Sequence, residues 1–153
     1  MSLNPDHNLV IRALHATDEP QWRRLWRAYL EYYETQLSEE IYSSTFNRLL
    51  SSAPQEFHGL IAELDGQPVG LTHYVYHRTC WGIENTCYLQ DLFVDPHVRG
   101  ESIGRALIEA VYKEADEAGS PSVYWQTQHF NEDGRRLYDR IGVLSPFIVY
   151  DRS

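Results

Sequence analysis

The stretch Tyr88–Leu107, Tyr-Leu-Gln-Asp-Leu-Phe-Val-Asp-Pro-His-Val-Arg-Gly-Glu-Ser-Ile-Gly-Arg-Ala-Leu, decides the fold of this chain. Its first seven residues, Tyr88–Val94, are mostly aromatic, apolar or β-branched and predict a strand. Asp95-Pro96 ends that strand, because proline lacks an N–H and keeps the preceding residue out of the helical region. Apolar residues then recur at helical spacing from Ile103 to Val111, so a helix begins within a glycine-bearing loop. This arrangement leaves backbone N–H groups free to bind an anion, most often a phosphate.

The spacing of that loop excludes two common phosphate motifs, Gly-x-Gly-x-x-Gly and the nucleotide P-loop. The segment Arg99-Gly100-Glu101-Ser102-Ile103-Gly104 instead resembles the acetyl-CoA signature of the GNAT N-acetyltransferases, Arg/Gln-x-x-Gly-x-Gly/Ala. The strand before it resembles the Tyr-Leu-Glu-Asp-Phe/Leu-Phe-Val strand of diamine (spermidine/spermine-type) and Hpa2-like acetyltransferases. Residues 131–142 resemble the family's Asn-x-x-Ala-x-x-Leu/Phe-Tyr-x-x-x-Gly helix, with Gly134 in place of the alanine. The resemblance covers about residues 57–151.

The resemblance implies how acetyl-CoA is bound. Backbone N–H groups from Gly100 to Arg105 would hold the pyrophosphate, and the backbone of Leu92 and Val94 would pair with the pantetheine arm at an opened sheet edge. Ser102 departs from the signature, which has glycine there to allow positive φ and close approach. The alternative for the glycines is ordinary turn chemistry. The implied cofactor-binding residues are Leu92, Phe93, Val94, Arg99, Gly100, Glu101, Ser102, Ile103, Gly104, Arg105 and Asn131.

Tyr138 is the first catalytic candidate, because it matches the family tyrosine that hydrogen-bonds the coenzyme sulfur. A phenol with a pKa of about 10 can donate a proton to a thiolate of comparable basicity. The alternative is a core tyrosine on an amphipathic helix.

The group that removes the proton of the amine is less obvious. Gln90 stands where diamine acetyltransferases have a glutamate, and an amide cannot accept that proton. Strand alternation puts the neighbouring Asp91 on the opposite face, unless a β-bulge, which the family carries in this strand, shifts it. Three options stay open. Gln90 orients a water; Asp91, Glu84 or a pocket histidine acts as the base; or the neutral fraction of the amine suffices.

The rest of the chain completes an α/β (α+β) pattern with one mixed sheet and about four flanking helices. The GNAT resemblance adds that the sheet is mostly antiparallel, twisted and splayed between its fourth and fifth strands. A turn with positive φ is expected at Asp65-Gly66. The predicted elements, besides the strand and helix above, are a strand at Leu9–Leu14, helices from Thr17 to near Gln36 and from Ser38 to Leu50, strands at Phe57–Leu64 and Pro68–Arg78, a helix end at Gly119, a strand at Ser122–Gln128, a helix at Asn131–Gly142 and a final strand at Phe147–Tyr150.

Two side-chain patterns bear on the site. The first helix carries a stripe of aromatic residues from Trp22 to Tyr33, which indicates core, with a wall of the acceptor pocket as the alternative. Tyr32, Glu31 and Glu34 are acceptor contacts by resemblance only. His73 and His77 are too far apart along a strand, about 13 Å, to chelate one ion, so no metal is expected.

Composition sets the class of protein. A chain of 153 residues predicts one domain over residues 1–153, and a net charge of −9 argues against nucleic-acid binding. An acidic body attracts cationic amines, although solubility explains the charge equally well. No apolar run reaches the length of a membrane span, and the N-terminus does not resemble a signal peptide, so a cytoplasmic location is expected.

The function implied by the resemblance is transfer of an acetyl group from acetyl-CoA to the primary amine of a small, polyamine- or diamine-like acceptor. The transfer would be a direct attack in a ternary complex, with no metal and with no nucleic-acid or membrane partner. A homodimer is expected because dimers are common in the family. The alternatives are a protein or peptide acetyltransferase acting on lysine or an N-terminus, and a non-catalytic acyl-CoA-binding module, which Ser102 and Gln90 motivate.

Overall fold

The computed structural model describes residues 8–98 and 102–153, and Arg99, Gly100 and Glu101 of the predicted cofactor loop lie outside this range. Within it no helix is long and apolar enough to cross a membrane. Short 3₁₀ turns at Ala16–Asp18 and Pro96–Val98 precede the first and third helices. The main elements are β1 (Leu9–Ala13), α1 (Glu19–Tyr32), α2 (Glu39–Leu49), β2 (His58–Leu64), β3 (Gln67–His77), β4 (Thr86–Val94), α3 (Ile103–Glu117), β5 (Val123–Tyr124) and α4 (Glu132–Ile141).

The strands form one sheet in the order β1-β2-β3-β4-β5. The pairs from β1 to β4 are antiparallel, and β5 runs parallel to β4. The predicted α+β class is therefore confirmed, with a mixed, mostly antiparallel sheet and four α-helices in the described part of the chain. β5 pairs with β4 only at Cys87 and Tyr88, and the two strands diverge beyond these residues. The divergence lies at the predicted splay.

A β-bulge in β4 changes which side chains face which layer. His73 lies opposite Asp91, whereas Tyr74 lies opposite Leu89, so Gln90 is the extra residue. Leu89 packs in the core beneath α3, while Asp91 contacts His73 on the α1 face. Simple alternation would put Asp91 on the same face as Leu89, and the bulge instead moves Asp91 to the α1 face, because it shifts the register by one residue.

Two buried layers hold the helices against the sheet. The layer beneath α3 contains Ile103, Leu107 and Val111, whose four-residue spacing places them on one helix face. The layer beneath α1 and α2 is more aromatic, with Trp22 and Trp26 stacked at 4.9 Å between ring centroids. Each fully buried side chain of this size contributes about 1.5–3 kcal/mol by leaving water.

The C-terminal ends of α3 and α1 have the same backbone arrangement, but only the end of α3 is marked by a glycine in the sequence. α3 ends as predicted before Gly119, whose φ of 73° lets Ser120 N–H bond the Ala115 carbonyl at 2.9 Å. α1 ends at Tyr32 instead of near Gln36, with the same arrangement built on Glu34 at φ 54°. Because a glutamate rarely occupies this conformation, the sequence carries no signal for that end.

The C-terminal part of the chain differs most from the prediction. The predicted strand Ser122–Gln128 is shortened to Val123–Tyr124. The predicted strand Phe147–Tyr150 is wrong, because the described chain has no strand after α4. Phe147 is 79 % and Tyr150 is 87 % exposed, so these residues find neither a strand nor a layer to pack against in a single chain.

Candidate active site

A cavity of about 890 Å³ lies at the C-terminal end of β4. Its walls are the second half of β4, the first turn of α3, one face of α4 and the last turn of α1. Of the predicted residues, the cavity brings together Leu92, Phe93, Val94, Ser102, Ile103, Gly104, Arg105, Asn131 and Tyr138. Gln90 and Asp91 are not part of this wall as far as the described residues define it.

The first turn of α3 is the anion-binding feature predicted from the sequence. The N–H groups that open an α-helix have no partner within the helix, and they carry the positive end of its dipole. Here that end lines the cavity. Ser102, which stands in place of the signature's first glycine, adopts φ 59° and ψ 23°. The position therefore keeps the left-handed backbone that glycine favours, at an energetic cost to serine.

The opposite walls come close together at Gly104. A Cβ at this position would lie 3.5 Å from Leu137 Cδ2 and 3.8 Å from Val94 Cγ2. A methyl group would thus fill space between α3, α4 and β4 that is open in the cavity. The wall also carries cationic side chains, of which Arg105 is paired with Glu109 and Arg136 with Asp133.

Asn131 caps α4. Its Oδ1 accepts the Gly134 N–H at 3.2 Å, and its Nδ2 donates to Thr127 Oγ1 at 3.0 Å. A Cβ on Gly134 would lie 2.5 Å from Asn131 Nδ2. An alanine at this position would have to displace the capping side chain of Asn131.

Tyr138 lies on α4 against the ring of Trp125, with 5.6 Å between the centroids. Burial raises the pKa of its phenol above the ordinary value of 10, and the nearby Tyr33 and Tyr32 add to the shift. A higher pKa keeps the hydroxyl protonated at neutral pH. Tyr138 can therefore donate a proton inside the cavity.

Three tyrosines at the end of α1 line the cavity: Tyr29, Tyr32 and Tyr33. The Tyr33 ring contacts both neighbours edge-on, with 5.1 Å between centroids in each case. Tyr32 was expected here by resemblance, whereas the stripe to which Tyr29 and Tyr33 belong indicated core. Trp22 and Trp26 on the earlier turns are indeed buried. The aromatic stripe is therefore core at its N-terminal end and cavity wall at its C-terminal end. The spacing of the residues does not distinguish these two roles.

Asp91 lies next to this tyrosine cluster. Burial raises the pKa of the Tyr29 phenol well above its ordinary value, and the nearby Asp91 carboxylate adds to the shift. Asp91 Oδ2 is 2.9 Å from His73 Nδ1, and its backbone carbonyl accepts the Thr72 hydroxyl at 2.8 Å. Asp91 is therefore one side chain behind the cavity wall, while Gln90 is exposed on the bulge.

Other candidates lie elsewhere. Glu84 is exposed in the loop between β3 and β4. His77 is exposed, with Nε2 2.8 Å from the Tyr124 hydroxyl. Among the described residues, no three His, Cys, Asp or Glu side chains are grouped to hold a metal ion.

Comparison with known proteins identifies relatives across nearly the whole chain. The model of the acetyltransferase (GNAT) family matches residues 20–143. The D-amino-acid N-acetyltransferase HPA3 of Saccharomyces cerevisiae is 34 % identical over 146 residues, 95 % of this chain and 91 % of the yeast protein. The thialysine N-epsilon-acetyltransferase of Bos taurus is 30 % identical over 94 residues, 56 % of this chain and 55 % of its own.

A solved structure supports the same fold. The aminoglycoside N-acetyltransferase AAC(6')-Iy in complex with CoA superposes with a TM-score of 0.81 at 18 % identity, over 99 % of both chains. The predicted GNAT fold is confirmed by this match.

Proposed function

This chain belongs to the GNAT family of acetyltransferases and is an acetyl-CoA-dependent N-acetyltransferase, and we propose that its acceptor is a small molecule with a primary amine. The observation that carries the proposal is the Asp91 carboxylate beside the tyrosine cluster Tyr29, Tyr32 and Tyr33. Aromatic faces and a carboxylate together stabilise an ammonium group. The net charge of −9 also favours a cationic acceptor.

The other end of the cavity fits the proposed binding of acetyl-CoA. The N-terminus of α3 supplies N–H groups for the pyrophosphate, and the open space at Gly104 lets a ligand approach the backbone. Arg105, Arg136 and Arg140 add positive charge to the same walls. We propose that Leu92, Phe93 and Val94 line the pantetheine arm, whose thioester is the group that the amine attacks.

We propose that two side chains move the protons of this reaction. Asp91, which lies one side chain behind the cavity wall, accepts the proton of the ammonium group through a water, because a carboxylate can take a proton that the Gln90 amide cannot. The neutral amine nitrogen then forms a bond to the acetyl carbon as the carbon–sulfur bond breaks. Tyr138 donates its phenolic proton to the departing sulfur, and the second proton that the nitrogen loses returns to the phenolate through solvent. Gln90 is left to contact the acceptor or its water from the exposed side of the bulge.

An acceptor screen tests the function. Purified protein is incubated with acetyl-CoA and one amine at a time, and release of CoA thiol is followed. The panel contains D-amino acids and thialysine, as suggested by the two sequence relatives, diamines and spermidine, as expected from the sequence, and peptides with a lysine or a free N-terminus. We expect turnover of at least one small amine and none of the peptides.

The screen also separates the alternatives. Turnover of peptides alone would contradict the small-molecule acceptor and favour a protein acetyltransferase. Binding of acetyl-CoA by calorimetry without turnover of any amine would favour the non-catalytic acyl-CoA-binding module.

We further propose that the protein is a homodimer through its C-terminal segment, residues 143–150. Six apolar side chains of this short segment are at least 64 % exposed, a large apolar surface for a chain in isolation. The segment is rich in β-branched and aromatic residues, and β5 forms the edge of the sheet. In a symmetric pair each segment can add to the β5 edge of the other copy, which buries both. The exposed residues are Val143, Leu144, Phe147, Ile148, Val149 and Tyr150.

Light scattering after size-exclusion chromatography tests the dimer. We expect twice the mass of one chain for the natural protein and a single-chain mass for Ile148→Lys. Ser153→Lys, which adds the same charge three residues beyond the segment, is the control and stays dimeric. A monomer at all concentrations would refute this part of the proposal. The single domain over residues 1–153 and the cytoplasmic location stay predictions.

A further inference from the structure

Three polar groups form a hydrogen-bonded line across the interface of α1 with the sheet. The indole Nε1 of Trp22 lies 2.9 Å from His73 Nε2, and His73 Nδ1 lies 2.9 Å from Asp91 Oδ2. Trp22 has no exposed surface and His73 is 3 % exposed. Water therefore has little access to the two inner members, and their hydrogen bonds are made with each other.

The chemistry of these groups fixes the proton on the imidazole. An indole N–H can only donate, so His73 Nε2 must accept with its lone pair. A neutral imidazole carries its one proton on the other nitrogen, and Nδ1–H therefore donates to the Asp91 carboxylate. A second proton on Nε2 would face the indole N–H, donor against donor, in a buried place where neither finds another partner.

This arrangement has two consequences for the active site. Both ring nitrogens of His73 are occupied, so His73 does not take the proton of the acceptor. One oxygen of Asp91 is held from the sheet side, which leaves the remaining lone pairs of the carboxylate for the side of Tyr29 and the cavity. Trp22 and His73 thus act only through Asp91.

We propose that His73 is a positioning residue for Asp91, and that Trp22 selects the Nδ1-protonated form of its ring. The inference rests on the proposed function, in which Asp91 accepts the proton of the amine. The titratable groups around the carboxylate are His73 from β3, Tyr29 and Tyr33 from α1, and Tyr88 from β4. Of these, His73 is the one that fixes the orientation of the carboxylate from the buried side.

The first test reads the proton directly and needs no acceptor. Two-bond ¹H–¹⁵N NMR spectra distinguish the nitrogen that carries hydrogen from the one that does not, in each histidine of the labelled protein. We expect His73, assigned by its loss in His73→Gln, to show a protonated Nδ1 and a bare Nε2 at neutral pH. A proton on Nε2, alone or together with one on Nδ1, would overturn the proposal whether or not an acceptor has been found.

The second test is a double-mutant cycle on turnover with the acceptor found in the screen. We expect His73→Leu to lower kcat about 10- to 100-fold with the KM for acetyl-CoA unchanged, as outer hydrogen-bond partners of functional groups commonly do. His73→Gln, which keeps one donor and one acceptor, should recover part of the loss. In an Asp91→Asn background His73→Leu should cost almost nothing further, because the group that it positions has gone. Full additivity of the two losses would refute positioning.

A third variant covers the case in which the His73 variants fail to fold. Trp22→Phe keeps the aromatic packing and removes only the N–H. We expect the NMR spectrum of His73 then to show a mixture of protonated forms, together with a smaller fall in kcat. An unchanged spectrum would show that Trp22 does not select the form of the ring. If no amine is turned over at all, the proposed function fails, while the NMR tests still decide the protonation of His73.

Discussion

On the α3 face of the sheet the buried layer is largely aliphatic, whereas the α1 face buries His73 between Trp22 and Asp91. Each face also holds a histidine, and the two have different environments. His73 has a partner on both ring nitrogens. His58, stacked on Tyr74 at 5.2 Å, buries a Nε2 atom that has no hydrogen-bond partner within the described structure. A histidine is thus part of a polar network on the α1 face, whereas on the α3 face its buried, unpaired nitrogen lowers the stability of the fold.

The difference teaches how this sheet divides stability from chemistry. Apolar burial is non-directional and requires no special geometry of individual atoms, so the α3 face contributes stability to the sheet. Hydrogen bonds in a line are directional, so the α1 face sets the position of one carboxylate. The bulge at Gln90 connects the two, since it moves Asp91 out of the aliphatic layer and onto the polar one. Substitutions on the two faces should therefore have separable effects.

The largest effect is expected for Asp91→Asn on the polar face. The amide keeps the shape but cannot accept the proton of the amine, and we expect kcat to fall at least about 100-fold. The change is measured by thiol release under saturating acetyl-CoA. Asp116→Asn, an exposed aspartate on α3, serves as the control and keeps full activity. A fall of less than twofold for Asp91→Asn would leave the neutral amine as the explanation and remove Asp91 as the base.

Leu107→Ala probes the aliphatic face. Leu107 has no exposed surface, and its truncation leaves a cavity beneath α3. We expect the free energy of unfolding to fall by about 2–5 kcal/mol, measured by urea denaturation. The turnover per folded molecule should stay within about twofold of the natural protein, since transition-state contacts are not removed. A large loss of kcat in a folded variant would mean that the two faces are not separable.

Tyr138→Phe removes a phenolic hydroxyl from the wall of the cavity and keeps the ring. We expect kcat to fall at least about 10-fold, because the departing sulfur loses its proton donor. Burial raises the Tyr138 pKa above 10, so the natural enzyme should show no alkaline loss of kcat between pH 7 and 9.5 that depends on this residue. A pH–rate profile of both proteins checks this. An alkaline limb below pH 9 that disappears in Tyr138→Phe would contradict the direction of the shift.

The unpaired His58 predicts a dependence of stability on pH. Burial lowers its pKa below the ordinary value of 6.5, so the unfolded chain binds a proton at a pH where the folded protein does not. The contribution to stability is present above pH 6.5 and is lost as the pH falls through that value. Melting temperatures at pH 7.5 and 5.5 measure it. We expect the fall between these values to be smaller in His58→Phe than in the natural protein, and an equal fall would exclude His58 as its source.

The sequence predicted those features of the structure that depend on residues close together in the chain. The strand ending at Val94, the helix starting at Ile103 and the turn at Asp65-Gly66 were predicted because each depends on residues close in the chain. The position of Asp91 on the α1 face depends on the register of β4 with β3. Only the family resemblance suggested the β-bulge that causes it. The line from Trp22 to Asp91 joins three elements distant in sequence. The strand predicted at Phe147–Tyr150 pairs with no strand of the described chain, so β-propensity alone gave a false element.

The smallest effect is expected at Ser102, at the start of the helix that carries the aliphatic layer. α3 has a left-handed residue at each end, Ser102 at φ 59° and Gly119 at φ 73°, and only one of them is glycine. Ser102→Gly should raise the free energy of unfolding by at most about 1 kcal/mol, because relief of strain is partly offset by a more flexible unfolded chain. Ser102→Ala keeps the strain and removes the hydroxyl. If the KM for acetyl-CoA falls in the glycine variant and is unchanged in the alanine variant, the backbone limits the approach of the pyrophosphate. If it rises in both variants, the hydroxyl itself binds the ligand, and serine is then a functional replacement for the glycine of the signature.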